Sequence, residues 1–353
     1  MIRKIFAALL CAVLLMVPVC ALAEGDDAAQ AENFSVDFAV VFTADTNGQL
    51  RGDQEHIGYS KLTGLVEMQN EDAHILLLDA GNALGTEDPD KVVMCMSAVD
   101  YTATAVGTKD AALGKDRLRE LDAKASFPLL CANWLRADGE LYYDPYRIVE
   151  VDGLRIGILG LISPDIKEMY PEETAEDNVY DPVPIANIYY EEMREAGCEF
   201  FIALTSLGFA GDYTPLYLGA NCPWIDMILD SNTGESNILD NGTIVEGTDT
   251  AVFNLASDFT SMSVIQVTAG HDGYLGLFPS TMGAADFSEI TRVQRIEELV
   301  NKDTTPKFDE EGGMTRKNRL YISNRMKFVL LTLLIAGATV AGIVLVTRNK
   351  EKK

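Results

Sequence analysis

Five apolar runs in this chain stop on short polar loops. They are TADTNG at Thr43–Gly48, LDAGNAL at Leu78–Leu84, AVGTKDAALG at Ala105–Gly114, ALTSLG at Ala203–Gly208 and ILDSNTG at Ile228–Gly234. A short apolar run bounded by turn residues reads as a buried strand. Open α/β sheets bind their ligands at the carboxyl ends of such strands. Five loops of this kind predict an α/β domain with one site where the loops converge.

The segments between the loops agree with that class. Strands are predicted at Val36–Thr43, His74–Leu78, Thr102–Val106, Phe127–Ala132, Glu199–Leu204 and Ile225–Leu229. Helices are predicted at Ser60–Asn70, Lys91–Val99, Lys115–Ala125 and Val183–Ala196. Tyr146–Val151 and Leu154–Leu161 flank Asp152-Gly153, a hairpin turn signal. Thr243–Glu246, Ala251–Leu255 and Ser261–Thr268 alternate as half-buried strands. The order is α/β first and β-rich last, with no internal repeat.

The two ends are of a different kind. Residues 1–23 have a basic start, an apolar core and a small-x-small finish at Ala21-Leu22-Ala23, the pattern of a secretory signal peptide. Residues 328–346 are apolar and uncharged, long enough to span a bilayer, and a basic tail follows them. The expected organisation is a signal peptide at 1–23, a linker at 24–35 and one ectodomain at 36–300. A polar stalk at 301–325, a transmembrane helix at 326–347 and a cytoplasmic basic tail at 348–353 follow. The chain would then sit in a bacterial-type cell membrane by a single span, with its ectodomain outside.

Charge narrows the partners. The 353 residues carry 54 Asp plus Glu against 28 Lys plus Arg, a formal charge of −26, and many of the basic residues lie near the two ends. Such a field repels nucleic acid and works against nucleotides unless a bound cation inverts it. The expected partners are the membrane, through the C-terminal helix, and a protein at the cell surface. Cys95, Cys131, Cys198 and Cys222 fit no zinc spacing and are expected as buried thiols.

The loops, in this order, resemble those of the calcineurin-like metallophosphatases, in particular the catalytic domain of 5′-nucleotidases. The family reads TNDxHG, GGLAR, LLDAGD, VGNHEFD, ALSHLG and a GGHSH-type loop. Here TADTNG, GYSKL at Gly58–Leu62, LLDAGN at Leu77–Asn82, VGTKDAALG at Val106–Gly114, ALTSLG and LDSNTG stand in their places, with NGTIVEG at Asn241–Gly247 beyond. FPLLCANW and VDGLRIGILGLISPD resemble connecting segments of the same family. The resemblance covers roughly residues 36–270. It implies a four-layer α-β-β-α sandwich.

The resemblance also implies a pair of divalent metals, held by His, Asp and Asn, that activate a water and clamp phosphoryl oxygens. Carried across, the first Asp is Asp45 and its partner His is Asn47. The bridging Asp is Asn82, the Asn of the NHE motif is Thr108, and the catalytic His is Lys109. The later ligand histidines fall at Ser206, Asn232 and Gly234. One of these positions keeps the family's residue type. The chain has three histidines, His56, His74 and His271, and none lies in a matching loop. The expectation is therefore a catalytically degenerate phosphoesterase fold with no metal cofactor, Lys109 neutralising Asp45. The alternative is an active enzyme with an oxygen-only site for Mg²⁺, Mn²⁺ or Ca²⁺, to which Asp110 and Asp230 add ligands. The simpler account of those two acids is as solvated loop residues.

Overall fold

The computed structural model describes residues 35–68, 74–232, 242–270 and 275–302. The predicted signal peptide, the stalk beyond residue 302, the membrane span and the tail, and with them His271 and Gly234, lie outside these residues. No helix among the described residues is long and apolar enough to cross a membrane.

In chain order the strands are β1 (Ser35–Thr43), β2 (Ile75–Asp79), β3 (Ala103–Ala105), β4 (Leu129–Leu130), β5 (Trp134–Leu135), β6 (Tyr146–Val151) and β7 (Leu154–Ile162). There follow β8 (Asn178–Val179), β9 (Phe200–Ser206), β10 (Met227–Asp230), β11 (Thr243–Ile244), β12 (Ala251–Asn254), β13 (Ser261–Gly270) and β14 (Leu275–Gly283). Twelve of them form two six-stranded sheets, ordered β14-β13-β1-β2-β3-β4 and β11-β12-β10-β9-β7-β6. In the first, β1 to β4 run parallel, β13 pairs antiparallel with β1, and β14 pairs antiparallel with β13. In the second, β7, β9, β10 and β12 run parallel, with β6 and β11 antiparallel at the edges.

Side chains alternate across a strand, so each sheet has two faces to cover. Val40, Phe42, Leu76 and Leu78 of the first sheet meet Ile156, Ile158, Ile202, Leu204 and Leu229 of the second in one apolar cluster. Phe38 and Phe200 meet edge to face across it, with centroids 5.6 Å apart. Burying side chains of this size stabilises by about 1.5–3 kcal/mol each.

The opposite faces are covered by helices. The first sheet packs against α1 (Tyr59–Glu67), α2 (Pro89–Val99), α3 (Gly114–Lys124) and, nearer the C-terminus, Ile296 and Val300 of the helix Gln294–Asn301. The second packs against Pro182–Glu195 and Pro215–Asn221 through Ala186, Met193, Leu218 and Cys222. Three helices begin on an acid or threonine followed by proline. Asp88, Asp181 and Thr214 each accept a hydrogen bond from a backbone N–H of the first turn, and Pro89, Pro182 and Pro215 take the next position. That is the combination that nucleates a helix N-terminus. The two tryptophans fall on opposite sides of the sandwich. Trp134 is fully buried on the α1–α3 side with its indole N–H on Asp177, at 2.9 Å. Trp224 stacks on Tyr190 at 4.4 Å against the other helical layer.

Several boundaries differ from expectation. The predicted strand Phe127–Ala132 narrows to Leu129–Leu130, and Thr243–Glu246 to Thr243–Ile244. The strand β14 and the helices Pro215–Asn221 and Gln294–Asn301 add to the predicted set. Asp152 and Gly153 both have left-handed backbone, φ 46° and 86°, as a tight hairpin requires. Among the described residues, Cys95, Cys131, Cys198 and Cys222 are buried and free.

Candidate functional site

The strand-end loops converge, and they carry unusual backbone. Asp45, Asn47, Asn82, Asn232 and Asp258 have φ values of 49°, 48°, 63°, 65° and 63°. Asp and Asn tolerate this region best among residues with a Cβ, yet each such residue still holds some strain. These five belong to loops that follow β1, β2, β10 and β12.

Their side chains form one connected network. Asp45 is fully buried. Its Oδ1 accepts from Asn82 Nδ2 at 2.7 Å, and its Oδ2 accepts from the backbone N–H of Asn232 at 2.9 Å. Asn82 Oδ1 accepts from the backbone N–H of Lys109 at 2.7 Å. Lys109 Nζ donates to Asn47 Oδ1 at 3.0 Å and lies 3.9 Å from Asp45 Oδ1. Asn47 Nδ2 donates to Asp258 Oδ1 at 2.7 Å. Beside this ring, the Thr108 backbone N–H donates to Ser206 Oγ at 2.9 Å, and Ser206 Oγ donates to Thr108 Oγ1 at 3.3 Å. The structure thus brings together Asp45, Asn47, Asn82, Thr108, Lys109, Ser206 and Asn232.

Two sequence expectations need correction. Asp110 and Asp230 are not solvated loop acids; they are 1% and 0% exposed. Their oxygens accept protein donors. Asp110 Oδ1 accepts the backbone N–H groups of Leu84 and Gly85, and Oδ2 those of Asn82 and Gly107, at 2.7–3.0 Å. Asp230 accepts from Thr205 Oγ1 and from the N–H groups of Leu207 and Gly208. Burial pushes the Asp110 carboxyl upward while its four amides oppose the shift. Burial, with the Asp45 charge nearby, pushes Asp230 up to about 7 despite its donors. Both acids act as clamps on loop backbone.

Asp258 lies in the SDFT loop after β12, and its place just past an apolar strand is the sequence signal that marks it. A second buried group sits just behind the site. Asp79 accepts from Thr43 Oγ1 at 2.6 Å, the Gly81 N–H at 2.8 Å and Thr104 Oγ1 at 3.0 Å, and burial pushes it up to about 7. The described histidines bond elsewhere: His56 Nδ1 lies 2.8 Å from Asp53, and His74 Nε2 3.1 Å from Asp152.

Close backbone approach fixes the loops. A Cβ on Gly107 would stand 2.1 Å from Asn82 N and 2.2 Å from Asn82 Oδ1. Gly107→Ala is expected to cost about 3 kcal/mol, because the obstacle includes backbone that cannot rotate away. Urea denaturation checks this.

No family model matches the sequence. The chain is 23% identical over 320 residues to the 2′,3′-cyclic-nucleotide 2′-phosphodiesterase/3′-nucleotidase of Haemophilus influenzae, which covers 76% of this chain and 48% of that protein. Among solved structures it resembles the calcineurin-like phosphoesterase YfkN of Bacillus subtilis, with a TM-score of 0.63 and 20% identity, over 75% of this chain and 96% of that one. The 5′-nucleotidase precursor of Thermus thermophilus superposes with a TM-score of 0.61 at 20% identity, over 75% and 57% of the two chains. The fold is that of the calcineurin-like metallophosphatases. Among curated proteins the chain is similar to nucleotidases, and it spans about half the length of the Haemophilus protein.

Proposed function

We propose that this chain is a membrane-anchored, extracellular, 5′-nucleotidase-like protein whose loop cluster is catalytically degenerate and serves as a binding or envelope-assembly module. The observation that carries this reading is the hydrogen-bond network around Asp45, with the Lys109 ammonium 3.9 Å from it. A pair of divalent metals needs several free lone pairs, with imidazole or carboxylate donors. Here both Asp45 oxygens, Asn82 Oδ1 and Asn47 Oδ1 already accept from protein donors, and one of those donors is an ammonium. Among the described residues no group of three or more His, Cys, Asp or Glu is placed to hold a metal. The donor set does not fit a di-metal centre.

The anchoring and the outward orientation rest on residues 1–23 and 326–347 of the sequence. The partner is proposed to be a protein at the cell surface, since the −26 charge works against nucleic acid and nucleotides.

One observation favours a second reading, an active metal-dependent phosphoesterase with an oxygen-ligand site. The strained left-handed residues are kept at the loop tips, and such strain concentrates at active sites. Both readings meet in one assay. Full-length protein is analysed for bound metal and tested on AMP, a 2′,3′-cyclic nucleotide and a generic phosphodiester with added Mn²⁺. The degenerate reading expects no stoichiometric metal and no turnover. Turnover that Asp45→Ala abolishes would establish the enzyme instead.

A further inference from the structure

Asp45 is a carboxylate with no exposed surface, and such a group needs compensation. Two neutral N–H donors reach it, from Asn82 and Asn232. The cation beside it is Lys109, whose Nζ stands between Asp45 Oδ1 at 3.9 Å and Asn47 Oδ1 at 3.0 Å. The lysine comes from the loop after β3, whereas Asp45 and Asn47 come from the loop after β1. Its backbone N–H also holds Asn82, so this one residue is tied to three members of the ring.

We propose that the Lys109 ammonium is the resident cation of this loop cluster, a charge tethered to the chain in the place where a soluble cation would bind. This rests on the reading that the cluster is not a di-metal centre. Remove the ammonium, and Asp45 Oδ1 and Asn47 Oδ1 are left with no positive charge beside them. Those are hard oxygen donors, one of them anionic, suited to Mg²⁺, Mn²⁺ or Ca²⁺ rather than to a thiophilic metal. The lysine therefore keeps a latent cation site closed. Because its side chain is 43% exposed, the ion pair is partly screened, and the larger effect of its loss is the uncompensated Asp45.

The test uses the full-length protein and two variants, Lys109→Gln and the double variant Asp45→Asn with Lys109→Gln. Glutamine keeps an N–H donor for Asn47 and removes the charge. Thermal melting is followed in chelator and in rising Mg²⁺, Mn²⁺ or Ca²⁺. The wild-type Tm is expected to be the same with chelator and with cation. Lys109→Gln is expected to melt about 5 °C lower in chelator and to recover saturably with cation. The double variant, with no charge to compensate, is expected to melt above Lys109→Gln in chelator and to ignore the cation. A Lys109→Gln protein that matches the wild type, or gains nothing from any of the three cations, overturns the inference. A double variant that responds as strongly as the single one also overturns it. If Lys109→Gln folds only with cation, or does not fold while the double variant does, the inference stands. If neither variant folds under any condition, charge is not the cause and the inference falls. Stoichiometric metal in the wild-type protein overturns both this inference and the proposed function. A metal-free wild type with an unresponsive Lys109→Gln overturns this inference alone.

Discussion

Asp110→Ala is expected to lower the stability of the protein by about 4–8 kcal/mol, enough to unfold a domain of ordinary stability. The carboxylate receives four backbone N–H groups, from Asn82, Leu84, Gly85 and Gly107. An orphaned buried donor costs about 1–3 kcal/mol, and alanine orphans all four. Asp110→Asn is expected to fall between, since one oxygen still accepts while the amide N–H₂ faces two donors. Equilibrium urea unfolding of the three proteins orders them. A loss below about 1 kcal/mol for alanine would show that water takes over the carboxylate's role.

Stability is expected to rise as pH falls from 8 to 5, against the usual behaviour of an acidic protein held by ion pairs. Asp79 and Asp230 are pushed up to about 7 by burial, whereas an unfolded chain titrates an aspartate near 3.9. The folded state thus holds protons that the unfolded state releases. The resulting stabilisation is full below about pH 4 and is lost as pH rises through about 7. A group moved about three units contributes about 4 kcal/mol at full linkage, so the Tm at pH 5 should exceed that at pH 8 by about 5–10 °C. The net charge of −26 adds in the same direction, because protonation relieves self-repulsion. Asp177 opposes the trend at the acid end. The Lys115 ammonium, Tyr142 and Trp134 hold its carboxyl below the usual range against burial, and its contribution fades as pH falls below about 4. The optimum should lie near pH 4–6. Asp230→Asn should flatten the profile, and a monotonic loss of Tm from pH 8 to 5 would contradict the burial of both acids.

The strands that meet the inter-sheet cluster were legible because their apolar runs are continuous and end on turn residues. β14 was not: Pro279 interrupts it, and a proline is tolerated there because the strand lies at a sheet edge. The helix Pro215–Asn221 carries a readable start in Thr214-Pro215, but only seven residues follow and their apolar pattern is short. In the site, Asp45, Asn47, Asn82, Thr108, Lys109, Ser206 and Asn232 follow strand ends or close them, which is what brings them near one another. What each side chain does was not legible. Asp110 looks like a surface acid in VGTKDAALG, and only the approach of Leu84 and Gly85 from another loop shows it to be a clamp. The pairing of Lys109 with Asn47 ahead of Asp45 depends on a difference of less than 1 Å between two oxygens, which residue type does not encode.

The placement of the two tryptophans has a practical outcome. Trp134 and Trp224 are the full complement of indoles in the chain, and they report on opposite helical coverings of the sandwich. Trp134 is shielded from solvent and hydrogen-bonded to a carboxylate, whereas Trp224 lies against a tyrosine ring. Their emission should therefore differ in wavelength and in accessibility to a soluble quencher. With one replaced by phenylalanine at a time, fluorescence alone can tell whether a ligand or a variant loosens one flank of the molecule before the other.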